Sequence, residues 1–268
     1  MRNRSMKVVV IFTIMTMMVC NMAHPVTPMV IKALNLPSYM FGIFFAAMAI
    51  GNFLCSPLWG KLSDKMGRRK FLIIGILGYG VSQLGFGYSE NPIVIVIYRF
   101  LGGAFIVSFL TVILAYIADI TDKEKRLKGM MYYGAASTVG SALGSLIGGV
   151  IGNNNYKIPF LMQFILAIVV SFLIFLFIEE TVDKESINNI KIDSEIKKNK
   201  KITKILDRKI LFMMSQVAVF YFASTSYNST INYYIEDALN LPSTINGIFL
   251  AFAGVVAFLT NLLLTPIV

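Results

Sequence analysis

The sequence predicts an all-α integral membrane bundle, and three observations carry that prediction. Of 268 residues, 56% are hydrophobic and only 14% charged, with a mean hydropathy of +0.71, which leaves too little polar surface for a water-soluble domain. Eight apolar stretches each approach the roughly 20 residues that a helix needs to cross a hydrocarbon layer about 30 Å thick. The basic residues behind the formal net charge of +10 gather in alternate connections between those stretches.

The first span runs from about Val8 to Ile31, after the basic segment "MRNRSMK". A secretory signal begins the same way, but here the apolar character continues past Cys20 without a small-residue cleavage site, and seven more spans follow. These are Tyr39 to Leu58, Phe71 to Gly87, Ile93 to Ile117, Met130 to Ile151, Ile158 to Ile178, Ile210 to Ile235 and Ile245 to Val268. None alternates as barrel strands do, and backbone in lipid must satisfy its own hydrogen bonds, so each is expected to be helical. Between spans 6 and 7, "EETVDKESINNIKIDSEIKKNKKITKILDRK" loses apolar density and gains charge, which predicts a linker with one surface helix. The expected organisation is a six-helix half (1–178), a basic linker (179–209) and helices 7 and 8 of a second half (210–268).

Orientation follows from the basic residues. The segment before span 1 and the 2–3, 4–5 and 6–7 connections hold 3, 5, 4 and 9 Lys or Arg; the other connections hold only Lys32 and Lys157. That split places the N-terminus and the basic connections in the cytoplasm of a multi-pass cell-membrane protein. Cys20 and Cys55 both lie inside apolar runs, so neither a disulfide framework nor a metal-ligand spacing is proposed. No nucleophile and base pair, metal cluster or phosphate-binding glycine loop appears. No enzyme activity, cofactor, metal or nucleic acid is therefore expected, and the partners are the lipid bilayer, a small-molecule substrate and protons.

An internal repeat joins the two parts. "ALNLPS" at 33–38 recurs at 238–243, and at the same offset of 205 residues "GIFFA" (42–46) is matched by "GIFLA" (247–251). Helices 7 and 8 thus correspond to helices 1 and 2, the parallel repeat of transporters whose halves are related by an axis along the membrane normal.

The connection between spans 2 and 3, "GKLSDKMGRRK" (60–70), is more than an anchor, because Asp64 adds nothing to a positive loop. Gly60, Leu62, Asp64, Gly67, Arg68 and Arg69 match the pattern G-x-L-x-D-x-x-G-R-R/K, the signature of the major facilitator superfamily. With the topology and the repeat, the chain resembles that superfamily, and within it the proton-coupled tetracycline and multidrug efflux proteins. "IYRFLGGAF" resembles the family's helix 4 motif through Arg99 and Gly103. "AYIADITDKEKR" (115–126) looks like the end of helix 4 in those antiporters. "GSALGSLIGG" (140–149) looks like their helix 5 motif through Gly140, Gly144, Gly148 and Gly149, with Ser145 where they carry Pro. The resemblance implies that Asp64 caps a helix of the opposite half in one transport state and that Arg68 pairs with an acid at the end of helix 4, where Asp119 stands. The chain ends in helix 8, whereas the family has twelve helices.

The physics of each candidate stands beside that resemblance. Arg99 is the one cation well inside a span, where insertion costs about 2.5–3.5 kcal/mol, so it is expected either at a central cavity, with a role in proton coupling or in positioning substrate, or in an outward-reaching conformation. Gly140, Gly144 and Gly148 form one ridge of helix 5, and Ser141, Ser145 and Gly149 the next, the spacing that lets membrane helices approach closely. His24, between Asn21 and the Pro25/Pro28 pair, could exchange a proton near neutral pH or serve a structural, loop-facing role. Relatives often carry an acid in helix 1 or 7, where this chain offers Asn21, His24 and Asn228. Phe44, Phe45, Phe105, Phe109, Tyr132, Tyr133 and Tyr227 are candidates for substrate contact as a group, while each taken singly is read first as lipid-facing or core packing. The expected function is proton-driven efflux of amphipathic, cationic or neutral drugs or other small molecules by alternating access. The alternatives are a nutrient (sugar or peptide) transporter of the same superfamily, or a truncated fragment that does not transport.

Overall fold

The computed structural model describes residues 2–181 and 208–264. The surface helix expected in the linker and the last four residues of span 8 lie outside the described residues. Span 1 comprises α1 (Arg2–Asn21), a 3-10 turn (His24–Val26) and α2 (Thr27–Ala33). Spans 2 to 6 are α3 (Met40–Met66), α4 (Arg68–Tyr88), α5 (Pro92–Ile120), α6 (Arg126–Gly152) and α7 (Lys157–Phe177). Spans 7 and 8 are α8 (Arg208–Asp237) and α9 (Ser243–Leu264). Among the described residues no strand forms, and seven helical segments are long and apolar enough to cross a membrane, α8 standing as the further long helix in the order.

Two boundaries differ from the sequence expectation. Residues 60–66, expected in a connection, are the last turns of α3, and the connection shrinks to the single residue Gly67. Hydropathy marks where a helix leaves the apolar layer, not where its hydrogen bonds end. Span 1 is broken after Asn21, because Pro25 and Pro28 cannot donate to carbonyls one turn earlier. The carbonyls stranded at the end of α1 find side chains instead. The Tyr79 hydroxyl donates to Cys20 O at 2.8 Å and the Gln163 amide to Val19 O at 2.5 Å. Thr27 Oγ1 donates to Ala23 O at 2.8 Å, bridging the turn.

Packing follows the small residues. α3 lies along α5, α4 against α5 and α7, α1 against α6, and α6 also against α9. A Cβ on Gly140 or Gly144 would run into the backbone of Ile14 or Met18 in α1, and one on Gly148 into that of Met22, just past its end. On the next ridge, a Cβ on Gly149 would meet Ser243 and Gly247 of α9, and one on Gly247 would meet Ser145 and Gly149. One helix therefore serves two interfaces, one per ridge. Lipid tails are as apolar as the side chains, so this close fit, rather than hydrophobic exclusion, holds the helices together. The buried core, centred on Leu72, Tyr79, Phe109 and Ile113, lies among α1, α4, α5 and α7, beside a second cluster around Phe44, Phe86 and Phe160.

Candidate functional site

The basic turn is locked by charge. Gly67 has φ +101°, a left-handed conformation, and a Cβ there would strike the carboxylate of Glu180. That carboxylate accepts the backbone N–H groups of Arg68 at 2.7 Å and Arg69 at 3.2 Å, so it caps the first turn of α4 and faces the positive end of its dipole. The Arg68 side chain, mostly covered, pairs with Asp64 one turn back, donates from Nε to Asp119 Oδ2 at 3.1 Å and from Nη1 to Ser63 Oγ at 2.8 Å. Thr181 Oγ1 donates to the same Asp119 oxygen at 3.0 Å. Arg69 donates to Phe175 O and lies 4.4 Å from the centroid of its ring. Gly60 touches α5 only lightly, near Thr111, and Leu62 is exposed. One cluster thus ties α3, α4, α5 and the chain leaving α7.

A cavity of about 490 Å³ opens between α1, α6, α8 and α9. Asn21, His24, Ser137, Thr138, Ser141 and Thr225 give it polar walls, and Phe45, Ala142, Leu250 and Ala253 give it apolar ones. Asn21 is positioned by donating to Met17 O at 2.8 Å and to Ser141 Oγ at 3.0 Å. His24 stacks on Phe45 with ring centroids 6.0 Å apart. The 3-10 turn therefore turns His24 toward the cavity.

Arg99 does not reach out to the surface. It is 6% exposed, donates from Nη2 to Thr27 Oγ1 at 3.1 Å, and carries its guanidinium carbon 3.6 Å from the centroid of Phe86. Its Nε is buried without a hydrogen-bond partner. Gly103, in the same helix, brings α5 against the backbone of Met48 in α3.

At the end of the bundle away from the basic turn, Lys32 donates to the backbone carbonyl of Glu236 at 2.6 Å and lies 3.9 Å from Asp237 Oδ1. The Glu236 side chain is 6% exposed beside a small cavity shared with Met29, Asn153 and Ser243. This is the main contact of α8 with the first six spans.

Of the residues singled out by sequence, Asn21, His24 and Ser145 meet on the cavity, and Arg68, Asp64 and Asp119 meet at the turn. Tyr227 is 61% exposed and away from the cavity, where Thr225 stands instead. The Asn228 side chain lies outside the described residues. Among the aromatic candidates only Phe45 lines the cavity. Phe44 and Phe109 are fully buried core, Phe105 packs on Trp59, Tyr133 packs against the core, and Tyr132 borders a separate pocket near Lys128. Sequence reading passed over Glu180, Thr181 and Glu236, which sit at span edges where a charged residue carries no periodic signal.

Long apolar helices packed around a cavity with one polar and one apolar wall, with a charge-locked turn at one end, define a multi-pass membrane protein. The Major Facilitator Superfamily profile matches residues 9–268, and the chain belongs to that superfamily. It is 26% identical over 244 residues to Multidrug resistance protein 2 of Bacillus subtilis (strain 168), covering 90% of this chain and 60% of the relative. To Quinolone resistance protein NorA of Staphylococcus aureus (strain MRSA252) it is 26% identical over 230 residues, covering 84% and 58%. The chain thus spans about 60% of the length of these relatives. Among solved structures, the human organic anion transporter MFSD10 (TETRAN) aligns with a TM-score of 0.71 at 18% identity over 97% of this chain and 71% of its own. The D-xylose-proton symporter aligns with a TM-score of 0.64 at 18% identity over 96% and 66%. Both share the fold.

Proposed function

We propose that this protein exports amphipathic small molecules across the cell membrane by alternating access, driven by inward proton flow. The cavity carries the reading: polar hydroxyl and amide groups of α1, α6 and α8 face apolar groups of α3 and α9 across a space of drug size, in a superfamily whose similar members here bear multidrug and quinolone resistance names. The N-terminus and basic connections face the cytoplasm in this reading. The Lys32 contact with α8 then closes the outer end, and the Arg68 cluster is a latch that forms in one state and loosens in another. His24 is the proton-exchanging group on the cavity wall.

The test is dye efflux from energised cells expressing the chain, with and without a protonophore, beside cells lacking it. Efflux abolished by the protonophore and weakened by His24→Asn is expected. Dye retention identical in both strains removes the efflux reading, and export unaffected by the protonophore removes the proton coupling.

A further inference from the structure

The charge balance of these eight spans runs against cationic cargo. Across the whole sequence no Asp or Glu falls within any of the eight apolar spans, whereas Arg99 lies in the fourth. The guanidinium is nine-tenths buried, and its recorded partners are a hydroxyl, Thr27 Oγ1, and the face of Phe86. Neither neutralises it, and Nε is left without an acceptor. Thr27 follows His24 by three residues in the broken segment of span 1, so the positive charge sits about one turn behind a side chain that lines the cavity. Around the cavity, the Asn21 amide already donates to Met17 O and Ser141 Oγ, and the Ser137 and Thr138 hydroxyls to Tyr133 O and Gly134 O, which leaves the hydroxyls of Ser141 and Thr225 to donate; no carboxylate lines it among the described residues. An unneutralised cation acts over many ångströms where the dielectric is low: it raises the energy of a second cation and lowers that of an anion.

We infer that the cavity selects organic anions and neutral amphipaths over organic cations, with Arg99 as the specificity-determining charge. The substrate class is an apolar body of one to a few rings bearing a carboxylate, met by the hydroxyls of Ser141 in α6 and Thr225 in α8. The inference rests on the small-molecule reading of the cavity, but it concerns binding and is tested without transport.

Three probes share one apolar body: 1-pyrenebutyrate, 1-pyrenebutanol and 1-pyrenebutyl-trimethylammonium. Their saturable binding to the full 268-residue chain in zwitterionic phosphatidylcholine nanodiscs is compared with empty nanodiscs. The anion should bind about tenfold or more tightly than the cation, with the alcohol between them. Arg99→Gln should bring the ratio close to one, and Arg99→Lys should restore it. Ser141→Asp, which leaves Arg99 in place, should reverse the preference and keeps the test decisive if Arg99→Gln fails to fold. Equal affinities in the parent, or a ratio indifferent to Arg99→Gln and Ser141→Asp, would overturn the inference and leave the efflux reading standing. No saturable binding of any probe would overturn it as well, while dye efflux with no charge preference would discard the inference alone.

Discussion

Asn35 and Asn240 stand 205 residues apart and hold the same left-handed backbone, with φ of 50° and 51°. Each follows the helix before it, which ends at Ala33 or Asp237, and the next N–H folds back onto that helix, Leu36 onto Ile31 O at 2.9 Å and Leu241 onto Ile235 O at 3.1 Å, one repeat position further back. Equivalent sequence has placed a left-handed Asn at matching positions in the two parts of the chain, with back-bonds offset by one residue. Lys32 and Asp237 occupy matching positions of the same repeat, and they face each other across it.

Left-handed backbone costs a β-branched residue about 1–2 kcal/mol and costs Asn or Gly little. Asn35→Val and Asn240→Val should each lower the thermal midpoint of the detergent-purified chain, while Asn35→Gly and Asn240→Gly should leave it close to the parent. A Val variant as stable as the parent at one position only would break the equivalence of the two turns.

The two ridges of α6 predict a contrast within one helix. Gly148→Ala places a methyl on the backbone of Met22, where no flexible side chain can give way, and overpacking of this kind costs about 1–3 kcal/mol. Gly134→Ala, in the same helix, meets nothing within 4 Å. Monodisperse yield by fluorescence-detected size exclusion should fall for Gly148→Ala and hold for Gly134→Ala. Equal yields would mean that α1 and α6 do not pack as closely as their glycines allow.

At the basic turn, Glu180→Ala removes the acceptor of two N–H groups and a negative charge at a helix N-terminus, a loss of about 1 kcal/mol. Asp119→Asn should cost less, because Asp119 is about one-third exposed and water screens such pairs. Hydrogen exchange separates the two: the amides of Arg68 and Arg69 lose protection in Glu180→Ala and keep it in Asp119→Asn. Unchanged protection in Glu180→Ala would remove Glu180 as the cap.

Much of this arrangement was legible because membrane helices declare themselves locally. Apolar length located the spans, i+4 spacing identified both ridges of α6, and Pro25 with Pro28 marked the break in span 1. What stayed hidden depends on contacts distant in sequence. Glu180 caps a helix that begins 112 residues earlier, and no pattern around "EET" signals that. Glu236 reads as the polar end of a span until Lys32 and the start of α9 cover it. Tyr227 and Thr225 differ by two residues, and helical rotation sends them to different faces.

The orientation yields the last prediction. Each Lys or Arg near an anionic cytoplasmic leaflet contributes about 1 kcal/mol, so 21 basic residues on one side against two on the other leave no comparably favourable inverted arrangement. Single cysteines on a Cys20→Ala/Cys55→Ala background report this with an impermeant maleimide. Ser63 makes a poor reporter, since it is buried, donates to Gly60 O at 2.9 Å and accepts from Arg68. Lys65, exposed on the last turn of α3, is the better choice, with Asn199 in the linker as a second and exposed Asn154 between α6 and α7 as the opposite-side control. Lys65→Cys and Asn199→Cys should label only after permeabilisation, and Asn154→Cys in intact cells. Labelling of position 65 from outside would invert the topology and would put the Arg68 cluster on the outer face, where it could not serve as a cytoplasmic latch.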